Sequence, residues 1–410
     1  MGRDRLDLLY LTLFPPSPPA CGAQRRIDGL MRALSRRHDI TAITLLPEGH
    51  DGSAAERAMR EYCREIALVP APPGQGPRKR LLQLRSLLSI HSFERHNSDS
   101  RSLRKVLDSF LSKRAFDIVE AEFPFLAPRG LRKAPPGAPA PKLVLDAHNI
   151  EFDLGRQQTA DDLGLARRLY NGINYRKLRR EERSVWRRFD GVAFCSAADE
   201  ERARTFEPGV RSAVVPNAVD LDYFKTGPGH PLPDGCTVIF FGAIDYFPNR
   251  DGLLYLLREV WPRIEKTHPR ARLKIVGRHP LPELLAFQGP RVEFAGEVDD
   301  LRPHLARAAV SIVPLRIGGG TRFKVLEAMA MEKPVVSTSI GAEGISVEHD
   351  RNVLLADDAA SFAGAVGRTL DDANLRGRLG KEGRSLVERH YSWNAVAQRL
   401  DVFFRELLAA

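Results

Sequence analysis

The stretch Pro314–Thr338, PLRIGGGTRFKVLEAMAMEKPVVST, decides the fold. The run VSIVPL (310–315) at its start is short, β-branched and apolar, the pattern of a buried strand. FKVLEAMAM (323–331) has helical spacing and strong helix formers, and KPVVSTS (333–339) reads as the next strand. Gly318, Gly319, Gly320 and Thr321 therefore fall in a strand-to-helix turn, where glycine lets a ligand approach the backbone closely. Unpaired N–H groups at the positive end of the helix point to one spot, and Arg322 and Lys324 add formal charge beside it. That suits an anion, above all a phosphate. Glu327, about one and a half turns into the helix, does not favour phosphate but accepts hydrogen bonds from sugar hydroxyls. Phosphate donors and a hydroxyl acceptor in one segment point to a nucleotide or nucleotide-sugar. The competing reading is a tight turn with charged helix-surface residues.

Outward from this stretch, strand and helix signals alternate almost end to end. LDLLYLTLF (6–14), DITAITLLP (39–47), FDIVEAEF (116–123), KLVLDAHNI (142–150) and FDGVAFCS (189–196) read as strands of a first series, with helices such as AQRRIDGLMRALSRRH (23–38) between them. A second series starts at CTVIFFGAID (236–245) and runs through RLKIVGRHP (272–280) and VEFAGEV (292–298) into the opening stretch. Such alternation means parallel sheets with helices on both faces, hence an α/β protein of two Rossmann-like domains facing each other across a cleft. Ligands of such sheets bind beyond the carboxyl ends of the strands. The expected division is residues 1–218, residues 219–390, and a last helix, 391–410, crossing back to the first domain.

A chain of 410 residues is too long for one ordinary core, and 43% hydrophobic with 28% charged residues is a soluble composition. The N-terminal segment reads as a first strand and loop rather than a signal peptide. Cys21, Cys63, Cys195 and Cys236 lack metal-ligand spacing and read as reduced thiols of a cytoplasmic protein. No acidic motif stands out as a metal site, and no cofactor is called for. A net charge of +10 needs a partner, but the basic residues are spread along the chain and no nucleic-acid-binding motif is present. The segment 78–114, RKRLLQLRSLLSIHSFERHNSDSRSLRKVLDSFLSKR, mixes leucines with basic residues. Its leucines are expected to pack on the first domain. The other reading is a surface helix in peripheral contact with anionic membrane on the inner face.

Several motifs together resemble the retaining glycosyltransferases of family GT4, which have the GT-B fold. VVPNAVDLDYF (214–224) is similar to that family's domain-linking segment, with Ala218 where glycine is usual. GGGTRFKVLEAMAMEKPVV (318–336) resembles its donor motif, and YSW (391–393) its last-helix entry. More narrowly, FGAIDYFPNRDGLLYL (241–256) resembles sugar transferases of bacterial exopolysaccharide and PEP-CTERM systems.

The resemblance implies roles residue by residue. Of two family glutamates separated by seven residues, the second matches Glu327, which would bond the ribose; the first falls on Gly319. The family's arginine and lysine after the first strand of the second domain fall on Ala243, which follows Gly242, and near Asn249 or Arg250, so Arg322 and Lys324 are expected to replace them against the diphosphate. Gly277 and Arg278 lie where the family holds the nucleobase and diphosphate, and Gly22 in PPACGAQRR (18–26) would let the backbone approach the pyrophosphate. His148, at the carboxyl end of a strand, would contact the donor sugar or acceptor hydroxyl, with Asp146 or Asn149 orienting the ring. Glu120, Glu122 and Asn149 are candidates for binding the acceptor.

The implied activity is transfer of a sugar from a UDP- or GDP-sugar to a glycan or lipid-linked saccharide. His148, Arg322 and Lys324 would carry it. A nucleotide-sugar epimerase and a degenerate binding or scaffold protein are the alternatives.

Overall fold

The computed structural model describes residues 4–72, 76–98, 100–127, 130–153, 164–318 and 320–410. They fall into two compact units, Met1–Val215 with Val396–Ala410, and Pro216–Ala395.

In the first unit the strands are β1 (Asp7–Thr12), β2 (Asp39–Leu46), β3 (Glu65–Pro70), β4 (Ile118–Ala121), β5 (Lys142–Ala147), β6 (Gly191–Phe194) and β7 (Ser212–Val214). They form one parallel sheet in the order β3-β2-β1-β4-β5-β6-β7. Residues 8–12 of β1 are all buried, because helices cover both faces of a central parallel strand. The helix Gly22–Ser35 buries Ile27, Leu30, Met31 and Leu34, an i, i+3, i+4, i+7 stripe laid on the sheet. Strand order reverses between β1 and β4, so their carboxyl ends open a crevice there.

The helix Trp393–Ala409 supplies the residues of this unit that come from the far end of the chain. Phe403 presses on Gly191, where an added Cβ would lie 2.5 Å from its ring, and Asp401 stands 3.1 Å from His38.

The second unit contains β8 (Thr237–Phe241), β9 (Arg272–Val276), β10 (Val292–Gly296), β11 (Val310–Val313), β12 (Val335–Ser337) and β13 (Leu354–Leu355). These too are parallel, in the order β10-β9-β8-β11-β12-β13. The reversal falls between β8 and β11. The chain leaving β8 at Gly242 and the glycine turn leaving β11 are therefore neighbours. Gly277, just past β9, is pressed against the same place: a Cβ there would lie 1.9 Å from the Gly242 carbonyl oxygen.

Two expectations need correction. Glu120 does not follow a strand: it lies inside β4, paired in register with Tyr10 and Val144, and is buried. The leucines of segment 78–114 divide. Leu103, Leu107 and Leu111 pack into the core, as expected, but Leu81, Leu84 and Leu88 face solvent because the helix that carries them is held by its polar edge.

Candidate functional site

In the second unit the turn after β11 runs into the helix Phe323–Ala330, with Arg322 at its cap in extended backbone. Gly318 (φ +131°) and Gly320 (φ +71°) occupy the left-handed half of backbone space, which explains glycine there. The Arg322 guanidinium lies over Gly318, where a Cβ would come within 2.6 Å of it. Gly319 lies outside the described residues. Thr321 is buried, and its carbonyl accepts a hydrogen bond from Asn217 Nδ2 at 2.8 Å.

Lys324 reaches back from the second helical position to the end of β8. Its ammonium donates to Asn249 Oδ1 at 2.7 Å and lies 4.1 Å from the centre of the Phe240 ring. Asn249 is fixed in turn by donating to the Ala243 carbonyl at 2.7 Å. A Cβ on Gly242 would lie 3.2 Å from the Lys324 nitrogen. The ammonium thus stands where the family resemblance lacks its lysine, delivered from the glycine-turn helix instead. Arg250, the other position considered, is tied to Glu283. Burial, and then Arg322, pull the Lys324 ammonium down to about 7, with Glu327 acting against them. An anion arriving here meets a lysine that gains charge as it binds. Glu327 is buried in the same helix, and Arg278 is half-buried beyond Gly277.

The first unit builds a different cluster at the carboxyl ends of β4 and β5. Arg26, one turn into the helix Gly22–Ser35, forms a bidentate ion pair with Asp146 at 2.6 and 2.7 Å, both side chains buried. Gly22 and Arg25 remain exposed at the start of that helix. His148 stacks on Phe123, ring centres 4.5 Å apart, and its Nε2 lies 2.8 Å from Glu122 Oε2. Asp146, expected to orient the ring, is 3.7 Å away and engaged by Arg26, so Glu122 holds the imidazole. Glu122, expected to meet acceptor, is fully buried in that role, and Asn149 is half-buried at the loop surface.

The electrostatics follow from burial. Burial opposes the charge of Asp146, but Arg26 outweighs it and holds that carboxyl below its usual value. Burial, then the Asp146 charge, hold Glu122 well above the carboxylate range, and burial, then Glu122, do the same for Glu120. Burial pulls His148 down to about 4 against the pull of Asp146. The cluster therefore holds a neutral imidazole near neutral pH, hydrogen-bonded to a carboxyl that burial and Asp146 bias towards its protonated form, beside one compensated ion pair. The nearest ligand atoms of Glu122, Asp146 and His148 lie within 4.8 Å of one another, a spacing compatible with a metal ion. Arg26 already bonds both Asp146 oxygens, so a cation would have to share that carboxylate with the guanidinium.

Two Rossmann-like units, the second with a basic glycine turn at its crossover, define a two-domain α/β protein of the GT-B class. Residues 21–218 match the family model "Glycosyl transferase 4-like domain" and residues 235–372 match "Glycosyl transferases group 1". The chain belongs to the GT4-type glycosyltransferases. A GDP-mannose-dependent alpha-(1-6)-phosphatidylinositol monomannoside mannosyltransferase of Mycobacterium tuberculosis is 29% identical over 252 residues. That match covers 54% of this chain and 64% of the relative, just under two thirds of its length. Sucrose-phosphate synthase from Thermosynechococcus elongatus superposes with a TM-score of 0.71 at 21% identity, over 98% of this chain and 99% of that one. Anabaena HepE, solved with UDP-glucose, superposes at 0.64 with 16% identity, over 98% and 99%. These structural likenesses carry the fold.

Proposed function

We propose that the protein is a retaining glycosyltransferase that moves a sugar from a nucleotide-sugar to a hydroxyl of a glycan or lipid-linked saccharide. The observation that carries this reading is the delivery of the half-buried Lys324 ammonium to the end of β8, beside Gly242 and the glycine turn. A diphosphate seated there meets the Lys324 charge, the Arg322 guanidinium and the helix N-terminus. Those groups stabilise the negative charge that grows on the leaving diphosphate, the main electrostatic demand of the step. Glu327 accepts from the ribose hydroxyls. The bond from the sugar's anomeric carbon to the phosphate oxygen breaks, and a bond to the acceptor oxygen forms on the same face. The acceptor's proton passes to the departing phosphate, so no protein nucleophile is required.

In this reading His148, neutral and held by Glu122, offers a hydrogen bond to the donor sugar or acceptor hydroxyl. The resemblance of residues 241–256 to exopolysaccharide-associated transferases supports a growing bacterial polysaccharide as the acceptor class. GDP-mannose in the mycobacterial relative's name and UDP-glucose in the HepE complex set the first donors to try.

The test is a thermal-shift panel of nucleoside diphosphates and nucleotide-sugars without added metal, because a ligand of the native state raises its stability with occupancy. It is followed by product analysis with an added saccharide acceptor. A shift with one base and a new linkage of retained configuration are expected. Release of nucleoside diphosphate with no new linkage would leave only hydrolysis, and no shift with any nucleotide would overturn the donor site.

A further inference from the structure

Both ends of the glycine turn are tied to one helix, Phe247–Tyr255. At the far end Lys324 reaches Asn249. At the near end Arg316, three residues past β11, forms a bidentate ion pair with Asp251, Nε to Oδ2 at 3.0 Å and Nη2 to Oδ1 at 2.7 Å. The same guanidinium lies over the Tyr255 ring, 4.8 Å from its centre. Between these side chains the backbones close up. A Cβ on Gly252 would lie 2.8 Å from the Pro314 carbonyl oxygen, so the helix needs glycine to come this near the strand end. Asn249, Asp251, Gly252 and Tyr255 thus all meet the segment 314–324, and Asn217 holds the Thr321 carbonyl from another side.

An acid here runs against the needs of a phosphate seat. Asp251 puts a carboxylate two residues from Asn249, and Arg316 commits its charge to that carboxylate. Each side chain satisfies the other. The Arg316 side chain is 46% exposed, so the pair adds little to global stability. A planar fork held by two bonds and an aromatic face does fix direction. What it fixes is the path of the chain as it leaves β11. Gly318 (φ +131°) and Gly320 (φ +71°) give the turn wide backbone freedom, so its N–H groups need an outside constraint to stay aimed at one spot. Small misplacements of such groups are costly to binding and chemistry.

We propose that Arg316 and Asp251 are positioning residues for the donor diphosphate: their ion pair clasps the start of the glycine turn to the helix that Lys324 reaches from the other end, presetting the turn's N–H groups together with Arg322 and Lys324. The inference rests on the reading of that turn as the diphosphate seat.

Charge and position give opposite signs for one variant. Asp251→Asn removes a negative charge beside the seat, which by electrostatics alone tightens anion binding; loss of the clasp weakens it. The experiment is calorimetry of the full chain with UDP and GDP, together with hydrogen exchange of the ligand-free chain at the Val325 and Leu326 amides, which bond the Arg322 carbonyl at 3.1 and 3.4 Å. Asp251→Asn and Arg316→Met are each expected to weaken nucleotide binding at least about tenfold and to speed that exchange at least about tenfold, with the thermal midpoint unchanged. The exchanged pair, Asp251→Arg with Arg316→Asp, should recover part of the affinity. Unchanged or tighter binding by Asp251→Asn would overturn the proposal, and beside weakened binding by Arg316→Met it would make Arg316 a direct phosphate ligand. Unchanged exchange in both variants would overturn it as well. Faster exchange in the variants, with no affinity of the parent for either nucleotide, would keep the clasp and overturn the diphosphate reading instead.

Discussion

The Lys324 ammonium donates to the Asn249 side-chain oxygen across 2.7 Å, joining the helix after the glycine turn to the helix Phe247–Tyr255 after β8. Loss of this cation should weaken nucleotide binding. Lys324→Met is expected to cost about 1.5–3 kcal/mol in affinity for a nucleoside diphosphate, the range of a charge-assisted hydrogen bond, measured by calorimetry. Affinity unchanged within twofold would remove Lys324 from the site.

The same lysine sets a pH dependence. Burial, then Arg322, bring its ammonium down to about 7 against the pull of Glu327, and an adjacent diphosphate raises that value. Below about 7 the lysine is already charged; above it, binding must take up a proton. Affinity should therefore fall as pH rises from 7 towards 9, and titrations in buffers of different ionisation enthalpy at pH 8 should show proton uptake. Lys324→Met should abolish both effects.

His148→Ala should leave nucleotide affinity intact and lower transfer at least about tenfold, the scale of one lost hydrogen bond. Because burial pulls the imidazole down to about 4, its protonation should appear in the pH–rate profile near there rather than at the ordinary histidine value. Full transfer activity in the variant would refute the role.

Arg26→Ala would leave Asp146 charged, buried and uncompensated. A loss of about 3–5 kcal/mol in stability is expected, because breaking one side of a buried pair costs more than the pair contributes. Chemical denaturation checks this, and Arg26→Ala combined with Asp146→Ala should recover part of the loss.

Gly277→Ala would place a methyl 1.9 Å from the Gly242 carbonyl oxygen. The backbone at the end of β8 has to shift, so a destabilisation of about 1–3 kcal/mol should come with weakened nucleotide binding. A variant as stable and as tight as the parent would show that the two strand ends move apart freely.

The parallel sheets were legible because apolar strands such as TVIFF and VSIV alternate with helical stretches along the chain. The edges were not. β3 alternates too weakly, with only Val69 buried in it, and β13 is two residues long. The glycine turn was readable because its composition is local. The partner of Lys324 was not, because Asn249 lies 75 residues away and meets it only through the strand order. Asp146 and Arg26, 120 residues apart, escaped for the same reason, and Glu122 rather than Asp146 holds the His148 ring. The Leu81–Leu88 row looked like core because spacing shows which residues share a face, not which way that face turns.

The contribution of residues 396–410 to the first unit sets an order of events during synthesis. A ribosome releases the strands β1–β7 long before it makes Phe403 and Asp401, while the second unit lies wholly between them. The first unit must wait, with the Gly191 end of β6 uncovered, until Phe403 has been made. Chains truncated just after Ala395 should therefore hold a completed second unit and an incomplete first one, the reverse of their order along the message.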